Sequence, residues 1–81
     1  MRDIHSLPIL FTTHAAMALL ERFKLDLDEA KHCIKTARIE KPIEKDGSIG
    51  ILQSSSGIYK IRFVCTIKRN TPVIITAEEC Q

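Results

Sequence analysis

Tyr59-Lys60-Ile61-Arg62-Phe63-Val64-Cys65-Thr66-Ile67-Lys68 is the stretch of this sequence that decides the fold. Its apolar residues recur with period two, which is the repeat of a strand buried on one face. Tyr59, Ile61, Phe63, Cys65 and Ile67 fall on one side. Lys60, Arg62, Val64, Thr66 and Lys68 fall on the other, so one face is apolar and the other carries the charge. A strand of this kind needs strand neighbours and a cover for its apolar side.

The neighbours lie on both sides of it. Downstream, Arg69-Asn70-Thr71 reads as a loop and Pro72-Val73-Ile74-Ile75-Thr76-Ala77 as a last strand, with Glu78 to Gln81 as a frayed end. Upstream, Ser54-Ser55-Ser56-Gly57 reads as a turn and Ser48 to Gln53 as a strand. Asp46-Gly47 is the best hairpin turn, because glycine takes a positive φ without steric cost. Before it, Ile39, Lys41 and Ile43 share one side of a strand and Glu40 and Glu44 the other. Pro42 removes a ladder donor there, so this strand belongs at an edge or a bulge.

The cover comes from two helices. Ala16, Leu19, Leu20 and Phe23 form an i, i+3, i+4, i+7 stripe, with Thr12 or Thr13 as N-cap. Asp26 followed by Glu29 makes a capping box, and Leu25 and Ala30 stand at the hydrophobic-staple positions. Leu27, Ala30, Ile34 and Ala37 repeat the helical stripe. Pro8-Ile9-Leu10-Phe11-Thr12 is a short first strand. The order is β-α-α-β-β-β-β: an α+β domain spanning residues 1–81, with two N-terminal helices on one face of a mostly antiparallel four- or five-stranded sheet.

Size and composition bound the function. An 81-residue chain buries only about 60% of its unfolded surface, which leaves little room for a deep cofactor pocket. The net charge of +2, from 12 Lys/Arg against 10 Asp/Glu, is too mild to argue for nucleic acid by itself. Three cysteines, an odd number, with no export signal before them, point to a cytoplasmic protein with reduced thiols. No apolar run is long enough for a membrane span. No Cys-x-x-Cys or His-x-x-x-His pair is present, and His32 and Cys33 stand about 100° apart on their helix, so neither metal nor cofactor is expected.

Phe11-Thr12-Thr13-His14-Ala15, then Glu21-Arg22, then the helix from Asp26 and a closing hairpin ending Ile74-Ile75-Thr76 resemble a family of small bacterial and archaeal proteins grouped with the RelE and BrnT toxins. That family has a strand ending in Thr-x-His-Ala, a Glu-Arg pair in the first helix and a terminal Ile-Thr strand. The likeness covers roughly residues 9–76. It implies a RelE-like fold and a toxin role in a type II toxin–antitoxin system. Such a protein would bind RNA or the ribosome, cut or block messenger RNA, and have an antitoxin protein as partner. The chain departs from the pattern at Ala18, where relatives often carry arginine, and at Ala77-Glu78, where they often carry Val-Tyr. A C-terminal aromatic common to RelE-type sites is therefore replaced by an acid.

The candidate site follows from these residues. His14, in the first turn of the first helix, can act as general base on a ribose 2′-OH, or can lock the strand–helix corner by bonding to backbone. Lys60 and Arg62 are the candidates to place positive charge beside a scissile phosphate. Lys60, Arg62, Lys68 and Arg69 together are the candidate nucleic-acid surface, set against a plain solvated sheet face. Tyr59 falls on the core side, which removes it as a stacking platform. Beside the toxin stands an alternative: a non-catalytic protein-interaction module of the same fold with a degenerate active site.

Overall fold

The computed structural model describes residues 9–56 and 59–79. In chain order these form β1 (Leu10–Phe11), α1 (Thr13–Phe23), α2 (Leu27–Lys35), β2 (Arg38–Lys41), β3 (Ile49–Ser56), β4 (Tyr59–Lys68) and β5 (Thr71–Glu79). The sheet order is β1-β5-β4-β3-β2. Only the β1–β5 pair is parallel, so the expected α+β layout stands with five strands.

β4 is the middle strand and does what its alternation demands. Ile61, Phe63 and Cys65 are fully buried against the helices. They share one core with Leu52 of β3, Ile74 and Ala77 of β5, Ala15, Leu19 and Phe23 of α1, and Ala30, Cys33 and Ile34 of α2. Tyr59 joins this side and meets the Phe23 ring edge-to-face at a centroid distance of 5.5 Å.

Each helix is started by the residue that sequence chemistry favours. Thr12 caps α1, accepting the Ala15 N–H at 3.0 Å. Asp26 and Glu29 close the capping box of α2 with bonds of 2.8 and 3.2 Å. The helices are turned about their axes relative to the expected stripes. α1 buries Ala15, Ala18, Leu19 and Phe23, leaving Leu20 60% exposed, and α2 leaves Leu27 42% exposed. The reason is tertiary: Thr12 is pinned to β5, which fixes the phase at which α1 begins. Its N–H donates to the Ile74 carbonyl at 3.0 Å and its hydroxyl to the Ile75 carbonyl at 2.8 Å.

Two irregularities shape the sheet. The β4–β5 register shifts between Val64 and Cys65, because β5 carries one extra residue there. Ile74 and Ala77 therefore both face the core although three positions separate them. The β2–β3 register shifts between Ile39 and Lys41. The expected grouping of Ile39 with Lys41 on one side does not hold: Ile39 pairs with inward Leu52, Lys41 with outward Ile51. β2 is an edge strand that stops just before Pro42, as a missing donor requires. A turn at Lys45–Ser48, closed by Ser48 N–H to the Lys45 carbonyl at 3.0 Å, has Gly47 at φ 87°. Gly50 faces Cys65 on the inner side, where a Cβ would collide with Ile43 Cγ1 and stand 3.0 Å from the Lys41 carbonyl. The absence of a side chain lets the 42–48 connection cross there.

Two local expectations are corrected. Glu78 and Glu79 are not frayed but pair with Arg62 and Ile61. Ser54, Ser55 and Ser56 belong to β3, not to a turn. The expectations for Pro8, Gly57, Cys80 and Gln81 lie outside the described residues.

Candidate functional site

Strand alternation puts Lys60, Arg62 and Lys68 on the face of β4 that the helices leave open. It also pulls them apart. Lys68 lies eight positions after Lys60, roughly 26 Å at the rise of a strand. Arg69 lies beyond Lys68 in the two-residue turn into β5, where Arg69 and Asn70 both hold left-handed conformations with φ 51° and 65°. The four basic residues read from sequence are thus two poles, not one patch.

Between the poles the outer face is apolar. Leu10 pairs with Val73, Val73 with Thr66, and Thr66 with Ile49; beside that row Val64 pairs with Ile51. Thr66 and Thr76 are its polar members; the Thr66 hydroxyl donates to the Ser48 carbonyl at 2.7 Å, and Thr76 lies beside Val64 in register.

At the Lys60 end, charges of both signs gather. The Arg62 Nη2 donates to Glu40 Oε1 at 3.3 Å. Arg62 also stands between Gln53 of β3 and Glu78 of β5 in register. A guanidinium that already faces one carboxylate, with a second on the next strand, has less positive field to offer a phosphate. The residue that sequence reading passed over is Arg38. It opens β2, and its Nη2 donates to Gln53 Oε1 at 3.0 Å. Arg38 and Lys60 line a shallow depression of about 350 Å³ together with Thr36, Gln53, Ser54 and Ser55. The depression lies at the end of the β2–β3 ladder, where Arg38 pairs with Gln53. No local motif marks Arg38 in the sequence.

Helix α2 ends beside this depression, with Thr36 as its C-cap. A helix C-terminus is the negative end of the dipole, which opposes an anion. The Thr36 hydroxyl lies within bonding distance of two of the terminal carbonyls, those of His32 at 3.3 Å and Cys33 at 3.2 Å, and so blunts that field.

His14 does not join the basic residues. It is exposed in the first turn of α1, entered from edge strand β1, which is two strand spacings or roughly 10 Å from β4. Nor does it lock the strand–helix corner. Thr12 does that, with Ala15 fully buried behind it. The motif residues Thr12, Ala15 and Ile74-Ile75 therefore meet as a structural joint.

Cys65 is a core residue. Burial pushes its thiol up to about 11, and its Sγ approaches the Gly50 carbonyl at 3.6 Å. A thiol held protonated at neutral pH is a poor nucleophile. Among the described residues no three potential metal ligands cluster, and no helix is long and apolar enough to cross a membrane.

No family model, no curated protein and no solved structure matches this chain. The likeness to RelE and BrnT toxins rests on the motif residues alone.

Proposed function

We propose that this domain is a toxin-like binding component of a type II toxin–antitoxin pair, which takes the phosphate backbone of RNA, free or on the ribosome, at the Arg38–Lys60 end of its sheet. The observation that carries this reading is the lining of that depression, which among the described residues comprises two cations, four neutral polar side chains and no carboxylate. A phosphate needs positive charge and hydrogen-bond donors on one surface, and the serines, the amide and the two basic groups supply both. The reading is one of binding without cleavage. His14 stands on the far edge of the fold, Arg62 is engaged by Glu40, and among the described residues no aromatic lines the depression to hold a base.

The test is fluorescence anisotropy with a labelled single-stranded RNA, run across a salt series, with purified ribosomes as a second target. Two phosphate contacts predict a log–log salt slope of about −1.4. Arg38→Ala with Lys60→Ala should weaken binding by at least roughly tenfold, and Lys68→Ala with Arg69→Ala should weaken it less. No binding of either target at low salt ends this reading. A second reading, the non-catalytic protein-interaction module, is favoured by the apolar centre of the outer face.

A further inference from the structure

We propose, resting on the RNA reading above, that Glu40 sets the strength of the Arg38–Lys60 site. With Glu78 beside it, Glu40 holds Arg62 back from the phosphate backbone and keeps a third cation out of use.

Arg62 stands where a third phosphate contact belongs. Arg38 pairs with Gln53, Gln53 with Arg62, and Arg62 with Glu78, in one row across β2, β3, β4 and β5. Gln53 lines the depression, so Arg38 and Arg62 flank one of its walls from either side. Lys60 lies two positions before Arg62 on the same face of β4, roughly 7 Å away. A guanidinium fork matches a phosphate better than any other side chain. A ligand that takes Arg38 and Lys60 therefore has Arg62 within its reach.

The irregularity in β2 puts a carboxylate on that guanidinium. Ile39 pairs with Leu52 and Lys41 with Ile51, which leaves Glu40 as the extra residue of a bulge. A bulge bends its strand and re-aims a side chain. Here the Glu40 Oε1 reaches the Arg62 Nη2 at 3.3 Å. It does so although β3 runs between the two strands, whose backbones are about 10 Å apart. Glu78 stands on the opposite side of Arg62 in register. Arg62 is thus flanked by acids on β2 and on β5.

The consequence is a limit on charge. Each phosphate that a basic group neutralises adds affinity and salt dependence. A phosphate approaching Arg62 must displace one carboxylate and come close to another, and like charges oppose it. The ion pair is 38% and 36% exposed on its two sides, so it is a restraint of a few-fold and not a lock. The RNA backbone is accordingly confined to the Lys60, Ser55 and Arg38 side, where among the described residues no carboxylate lines the depression.

Anisotropy with labelled single-stranded RNA across a salt series tests this on the full chain. The wild-type log–log slope is expected at about −1.4, two contacts. Glu40→Gln with Glu78→Gln should steepen it to about −2.1, three contacts, and tighten binding roughly three- to tenfold at low salt. Glu40→Gln alone should give most of that change and Glu78→Gln alone less; the reverse order overturns the assignment to Glu40. Arg62→Gln should leave the slope at about −1.4, by itself and when added to the two glutamine variants. Circular dichroism and the thermal melt check that each chain is folded. An unchanged slope in the Glu40→Gln, Glu78→Gln chain overturns the proposal. So does equal steepening once Arg62→Gln is added, which would make the acids act by general repulsion. A wild-type slope already near −2.1 that Arg62→Gln reduces also overturns it, since Arg62 would then be in use. Failure of the wild-type chain to bind RNA at low salt ends the RNA reading and this proposal with it. A wild-type chain that binds, with a variant no steeper, ends this proposal alone.

Discussion

Phe63 and Val64 are neighbours in β4, yet they live in different surroundings. Phe63 has no exposed surface and belongs to the core cluster that includes residues of both helices, whereas Val64, one peptide further, stands partly in the open between Ile51 and Thr76. Both sides of the strand are apolar at mid-length. Among the described residues only one is covered, because two short helices of 11 and 9 residues shield one face of the five-stranded sheet. The difference shows that alternation decides which residues share a side, while the cover decides which side becomes core. Burial at roughly 25 cal/mol per Å² rewards the covered side and leaves the other available to a partner.

The sharpest test of that contrast is a pair of truncations. Phe63→Ala should cost about 3–5 kcal/mol of unfolding free energy by urea denaturation. Val64→Ala, measured at low protein concentration so that only packing within the chain counts, should cost less than about 1 kcal/mol. Equal losses would mean that the two faces are packed alike, and the outer face could no longer be regarded as open.

Cys65 sharpens the same contrast through pH. Its thiol is raised from 9.0 to about 11 by burial. The folded state therefore keeps the proton after the unfolded chain has lost it. The contribution is fully present below pH 9 and is lost as pH rises from about 9 to about 11. The loss should total roughly 2–3 kcal/mol, seen as a falling denaturation midpoint that Cys65→Ala flattens. A stability curve flat across that range in the parent protein would place the thiol in a wetter site than the inner face provides.

The smallest effect belongs to the outer face. A double-mutant cycle on Glu40→Gln and Arg62→Gln should yield a coupling of about 0.2–1 kcal/mol, shrinking with added salt, since both side chains are more than a third exposed. A coupling several times larger and insensitive to salt would reveal a desolvated pair, and with it a closed outer face.

Much of the fold was legible in the sequence because its signals are local. The alternation through Tyr59–Lys68, the capping box at Asp26 and Glu29, the cap at Thr12 and the glycine turn at Gly47 each depend on residues close in the chain. The site was less legible. Lys60, Arg62, Lys68 and Arg69 were correctly placed outward or at the turn, but nothing local showed that a strand's length divides them. Arg38 went unnoticed because its importance comes from Gln53, fifteen positions away. His14 gained weight from its motif, yet the tertiary bonds of that motif run through Thr12 to Ile74 and Ile75, over 60 positions distant.

By itself the sequence determined the type and order of the elements and which side of β4 would be apolar at both ends. Periodicity, caps and turns are short-range and need no knowledge of the rest of the chain. Only the tertiary structure decided the phase of α1, the parallel seat of β1 beside β5, the extra residue in β5, and the pairing of Arg62 with Glu40. Each of these depends on a partner far along the chain, and which of several chemically acceptable partners is met depends on how the sheet closes around its core.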